Sequence, residues 1–132
     1  MPRVEQNFAR AFASEWIDAW NRRDLDAVLA HYSDDFELSS PVIIDVVGEP
    51  SGTLCGKPTI REYWTKALAR LPDLHFELHE VLTGIDTITL YYRGPRGASA
   101  EIFHFARDGK VDRALACYAP ERQKVSPTVS QA

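Results

Sequence analysis

The sequence predicts a single α+β domain in which helices cover one face of a mostly antiparallel sheet. Three observations carry this reading. Apolar residues recur at helical spacing as far as Leu71, they recur at every second position from Leu74 onward, and glycine-containing turns at Gly94-Pro95-Arg96-Gly97 and Asp108-Gly109 divide the second half into hairpins. Helices first and strands afterwards is the order of a fold whose helices gather on one side of its sheet. A chain of 132 residues suits one such domain. The domain is expected over residues 1–120, with a polar, disordered tail over 121–132.

Each element follows from local pattern. Val4, Phe8, Phe12, Trp16 and Trp20, flanked by Ala9, Ala13 and Ile17, form one apolar stripe and predict a helix over 3–21. Asn21-Arg22-Arg23-Asp24 interrupts it, and Asp24 is a good N-cap for a short second helix carrying Leu25, Val28, Leu29 and Tyr32. Ser33-Asp34-Asp35 reads as a turn, and Phe36 to Ser39 alternates as a strand that Ser40-Pro41 ends. Val42 to Val47 reads as a further strand, and Gly48 to Gly52 as a loop, so residues 42–56 are open between strand, loop and lid. A third helix follows Gly56, with Ile60, Tyr63, Trp64, Ala67, Leu68 and Leu71 on one face. Either Pro58 in its first turn or a Thr59/Glu62 capping box starts it. Leu74, Phe76 and Leu78, then Ile88, Leu90 and Tyr92, mark strands, and the last two strands are expected over 98–107 and 110–119.

Composition removes several functional classes. With 45% hydrophobic and 26% charged residues the chain can build a core, which excludes a disordered protein. A net charge of −4 without a basic cluster gives nucleic acid no electrostatic footprint. The longest apolar runs, such as Val42-Ile43-Ile44, are too short to span a membrane, and the N-terminus lacks the apolar core of a secretory signal. Two cysteines, Cys55 and Cys117, are expected as half-buried reduced thiols of a cytoplasmic protein. Glycine-rich nucleotide loops and the nucleophile-elbow motif are absent, so no cofactor is implied. His75, Glu77 and His79 share a strand face, but Leu74, Phe76 and Leu78 hold the more apolar face. The histidines are therefore expected outside, with no metal site.

Three stretches together resemble the nuclear transport factor 2-like superfamily, in its SnoaL-like and ketosteroid isomerase-like branch. They are Trp16 to Val28 with its W-x-x-A-x-x-x-x-D-x-x-A pattern, Tyr32-Ser33-Asp34-Asp35-Phe36, and Gly56 to Trp64 followed by Pro72 to Phe76. The hairpin at Arg107 to Val111 is similar too. The resemblance implies a cone-shaped α+β barrel with three N-terminal helices on a curved sheet, an internal pocket for a small, largely apolar molecule, and a homodimer through the outer sheet face. Val111 and Leu115 are expected on that outer face.

Residue by residue, the resemblance to ketosteroid isomerases fails at two places. Where they carry a general-base Asp before a Pro, this chain has Ser40 before Pro41, and where they carry a helix Tyr it has Trp16. A serine hydroxyl cannot shuttle protons as a carboxylate does, which argues against steroid isomerisation by that route. Glu101 aligns with their buried acid and shares its face with Phe103 and Phe105, so it is the candidate acid/base, with Tyr118 donating to a ligand oxygen. Phe12, Trp16, Phe36, Tyr63, Trp64, Phe103 and Ala116, with Ser40, are the expected pocket wall, and Leu78, Tyr92 and Phe105 are pooled with it. Isomerisation, cyclisation or dehydration leads. A non-catalytic ligand-binding or dimerisation module is the alternative, and epoxide hydrolysis using groups such as Asp18, Asp45, Arg61, Arg93 or Arg113 comes third.

Overall fold

The computed structural model describes residues 4–120, so the expected tail over 121–132 lies outside the described residues. In chain order the elements are α1 (Gln6–Asn21), α2 (Leu25–Leu29), β1 (Tyr32–Ser39), α3 (Pro41–Val47), β2 (Thr53–Cys55), α4 (Lys57–Arg70), β3 (Glu77–Thr83), β4 (Thr87–Gly94), β5 (Gly97–Phe105) and β6 (Val111–Tyr118). The strands form one mixed sheet in the order β2-β1-β6-β5-β4-β3. The expected four-strand meander is its antiparallel half. β1 joins β6 in parallel, and β2 adds antiparallel to the outer edge of β1. The sheet is not closed, and with helices packed against it the fold is the expected α+β cone.

α1 lies with Phe12, Trp16 and Trp20 buried, as the stripe predicts. It ends in a Schellman motif, with the Asp24 amide donating to the Ala19 carbonyl and the Arg23 amide to that of Trp20. That motif puts Arg23 at φ +60°, where glycine is the usual residue. The Arg23 guanidinium offsets the strain by donating to the carbonyls of Leu68, Leu71 and Pro72, which caps the C-terminal end of α4. Asn21 pins the next segment reciprocally: its Nδ2 donates to the Phe76 carbonyl at 3.0 Å, and the Phe76 amide donates to its Oδ1 at 2.7 Å. Phe76 therefore hydrogen-bonds to the end of α1 just before the ladder of β3 begins at Glu77. Asp24 caps α2 through the Ala27 amide, as expected.

Residues 41–47 form a fourth helix and no strand. Ser40 is its N-cap, accepting from the Val42 amide at 3.1 Å, Pro41 opens it, and Gly48 closes it at φ +74°. Serine, proline and glycine in those places are a helix signature. The β-branched run between them has strand propensity, but with Val42 and Ile43 buried the tertiary context overrides it. Ser33-Asp34-Asp35 is an irregularity inside β1, because the pairing shifts from Tyr32↔Val111 to Glu37↔Arg113. α4 begins with Pro58 in its first turn and makes no capping-box bond.

A second irregularity lies between His104 and Phe105, whose partners are Arg113 and Val111. It turns Val111 into the core, where it is fully buried, and corrects its expected place on the outer face. His75, Glu77 and His79 are exposed, as expected. Cys55 and Cys117 are free and exposed, which corrects the half-buried expectation. Among the described residues no helix is long and apolar enough to cross a membrane.

Candidate functional site

The inner face of the sheet alternates large and small residues, and a hollow opens where the small ones meet. Along β5, Ser99, Glu101, Phe103 and Phe105 face inward. Glu101 is paired across to Ala116 and Ser99 to Tyr118 on β6, so little side chain stands beside the Glu101 carboxyl on that flank. The resulting cavity of about 80 Å³ lies between this surface, α1 and α4. That is room for about half a dozen waters or one small, compact ligand. Of the expected wall, Trp16, Ser40, Tyr63, Trp64 and Ala116 line it, as do Glu101 and Tyr118.

Phe12, Phe36 and Phe103 do not line the cavity. Phe12 meets Phe103 and Phe105 edge-on at 4.8 and 5.1 Å, and Phe36 packs on Tyr32 at 4.3 Å. These interlocked rings fill their part of the cone, and each stabilises the fold by about 2–3 kcal/mol of burial. Phe105 and Leu78 also pack away from the lining. Trp20, Phe76, Ser99 and Arg96 line the cavity and were not expected there. Ser99 was legible by alternation from Glu101. Arg96 was not, because it sits within a turn signature that reads as solvent-exposed.

Glu101 is 5% exposed. Its Oε1 accepts a long hydrogen bond, 3.4 Å, from the Tyr92 hydroxyl. Tyr92 reaches it diagonally from β4, since Leu90 is the direct partner of Glu101. No arginine or lysine pairs with Glu101 among the described residues; Arg113 reaches Glu37 instead, on the outer side. Desolvation therefore dominates and raises its pKa to about 7, with the Tyr92 hydroxyl pulling the other way.

Three further hydroxyls gather nearby. Burial pushes the Tyr63 hydroxyl up to about 12 and raises that of Tyr118, with the Ser40 hydroxyl opposing both shifts and the Glu101 charge adding to them. Tyr32, fully buried, accepts from the indole Nε1 of Trp16 at 2.9 Å. That bond commits the Trp16 N–H to holding a tyrosine ring. Ser40 likewise has its oxygen engaged as the cap of α3. The Trp20 Nε1 is buried with no partner among the described residues, a group that costs about 1–3 kcal/mol to leave unpaired.

The arrangement is a carboxyl group at the edge of protonation, in an apolar cavity, surrounded by phenols that stay neutral. Such a group donates a proton or accepts one with little penalty near neutral pH, the condition general acid–base catalysis requires. Among the described residues no group of three His, Cys, Asp or Glu gathers as a metal would need. His31 packs edge-on to Phe12, and burial lowers its pKa. His104 points outward, between Asp112 and Asp86.

Among the described residues, an open mixed sheet carrying four helices and a cavity over its inner face defines the class: an α+β cone fold with an interior cavity. Residues 13–114 match the SnoaL-like domain family, and the chain belongs to it. Its structure is similar to that of a SnoaL-like protein of unknown function from Burkholderia thailandensis, at 52% identity and TM-score 0.85 over 89% of this chain and 98% of the other. At 16% identity and TM-score 0.66 it shares its fold with SalBIII, an epoxide hydrolase/cyclase-like enzyme of pyran ring formation in salinomycin, over 88% of this chain and 94% of the other. TerC, co-crystallised with polyporic acid, matches at 18% identity and TM-score 0.67 over 84% and 91%. No curated protein matches the chain.

Proposed function

We propose that this SnoaL-like protein binds a small, largely apolar, unsaturated molecule and catalyses proton transfer beside a carbonyl, as in isomerisation, cyclisation or dehydration. The observation that carries the reading is Glu101: a buried carboxyl facing a cavity, without a cationic partner among the described residues, and with its pKa raised to about 7. As the neutral acid it protonates a carbonyl or enolate oxygen, and as the carboxylate it removes a proton from the neighbouring carbon. Tyr92 and Tyr118 donate to developing negative charge on that oxygen. Trp16, Trp64 and Phe76 provide flat apolar walls that hold an unsaturated skeleton in place.

A purely binding role would be favoured by a filled interior with Glu101 ion-paired, and neither feature is present among the described residues. Epoxide hydrolysis needs a hydrogen-bonded carboxylate pair and an arginine. Asp18 is exposed, Arg61 pairs with Asp26, Arg113 with Glu37 and Asp45 with Arg96, so among the described residues no second carboxylate joins Glu101 in the cavity. The homodimer reading relies on a row across the outer face, Leu82–Thr89–Ile102–Leu115, flanked by exposed Tyr91. Sedimentation of the wild type against Leu115→Glu tests it: a dimer that the substitution dissociates is expected, and a wild-type monomer refutes it. The catalytic reading is tested with 3-cyclohexenone, following absorbance of the conjugated product. Wild-type turnover that Glu101→Gln lowers by about a hundredfold or more is expected. Equal rates in the two proteins refute Glu101 as acid/base, and binding without turnover favours the non-catalytic module.

A further inference from the structure

Among the described residues the cavity is lined by one permanent cation, Arg96, on the turn between β4 and β5. Its counter-ion, Asp45 on α3, is not part of the lining and stands 3.9 Å away, at the limit of an ion pair, with both side chains about half exposed or more. The guanidinium carbon lies 5.8 Å from the centroid of the Tyr118 ring, a wall of the cavity. Tyr63 and Tyr118 line the same cavity as Glu101 and Arg96, and both phenols feel the charges of the acid on β5 and the cation on the turn. The broader hollow outside does not choose a sign, because its Arg70 and Arg93 are matched by Asp73 and Glu77. Within the cavity itself the balance is clear: wherever Glu101 is protonated, Arg96 is the single charged group among the described residues that line it.

We propose that the ligand of this cavity is an organic anion, a flat unsaturated molecule whose carboxylate replaces Asp45 as the partner of Arg96 while its other end reaches Glu101 and Tyr92. A guanidinium offers two parallel donors to a carboxylate, a better geometry than the present contact with Asp45. Displacing Asp45 also frees the turn from α3, because the Arg96–Asp45 pair spans the two. This inference deepens the proton-transfer reading by naming the charge class of the substrate, and it rests on the same cavity.

The test is a titration by tryptophan fluorescence, since Trp16, Trp20 and Trp64 are all in the wall. The probes are trans-cinnamate and cinnamamide, equal in shape and differing in charge. Wild-type protein is expected to bind cinnamate at least about tenfold more tightly than the amide, and Arg96→Gln to reduce that preference to within about twofold while leaving amide binding in place. The surviving amide affinity shows that the variant is folded. Equal affinity of the wild type for the two probes overturns the proposal, as does a preference that persists in Arg96→Gln or a failure of cinnamate to bind. Glu101→Gln is titrated in parallel. If it keeps the anion preference while the turnover experiment shows no role for Glu101, the acid–base reading falls and the anion site stands. Loss of the preference in Arg96→Gln alone leaves the role of Glu101 to the turnover experiment.

Discussion

Replacing Glu101 with Gln tests the electrostatics of the cavity without needing a substrate. The carboxyl titrates at 4.5 when solvated and at about 7 in the fold, because burial disfavours its ionised form. Between those two values the native state holds a proton that the unfolded chain has released, so stability falls as pH rises from 4.5 to about 7 and is level beyond. The loss is 1.36 kcal/mol per pH unit across roughly two and a half units, about 3 kcal/mol. Gln has the shape of the protonated acid and no charge to desolvate. Glu101→Gln should therefore match the wild type near pH 4.5 and exceed it by up to about 3 kcal/mol above pH 7, roughly 10 °C in Tm for a domain of this size. Denaturant titrations of both proteins across that range measure the difference, and the other carboxylates cancel in the subtraction. Curves that stay parallel, or a variant less stable above pH 7, would mean that Glu101 ionises in the fold at little cost, and the acid/base argument would lose its physical basis.

Three other outcomes follow from the same coordinates. Ala116→Leu fills the space beside Glu101, so stability should change by less than about 1 kcal/mol while affinity for cinnamate falls at least about tenfold; unchanged binding in the fluorescence titration would place the ligand elsewhere. Arg23→Ala removes three bonds to the end of α4 and keeps the left-handed backbone, at a cost of about 2 kcal/mol. Arg23→Gly loses the same bonds and relieves φ, so thermal denaturation should find it the milder change by about 1 kcal/mol, and the reverse order would show that the strain is unimportant. The carboxylate of Asp112, joined by that of Asp86, raises the pKa of His104 above 6.5, so its contribution is complete below pH 6.5 and lost as pH rises through the raised value. Comparing His104→Gln with the wild type by denaturant should show a gap below pH 6.5 that closes on the alkaline side. A gap independent of pH would leave packing as its origin.

The periodic elements were legible because their information is local. The stripe from Phe8 to Trp20 needs only helical spacing to bury itself, and alternation from Glu101 to Phe105 needs only a pleat. The same reasoning placed Glu101 on one face with Phe103 and Phe105, which the resemblance made the inward one, and put His75, Glu77 and His79 outward. It failed at 42–47, where β-branched residues outweighed a serine cap, an opening proline and a closing glycine, and at Val111, where an irregularity in β6 reversed the expected face. It also failed for Phe12, Phe36 and Phe103, since nothing in a single strand or helix says which aromatic side chain ends against another ring and which ends against empty space.

From its sequence alone, then, this protein declares an α+β domain of SnoaL-like type with one inward acid on its penultimate strand. Only the tertiary structure decided that the acid has no cationic partner among the described residues and sits beside Ala116, that Arg96 returns from a surface turn to the rim of the same cavity, and that Arg23 and Asn21 hold the cavity's walls from the far end of α1. A face is a property of spacing along one segment. A cavity, a desolvated charge and its distance from the next cation depend on side-chain volumes contributed by α1, α3, α4 and four strands of the sheet, and those sums exist only once the segments have packed.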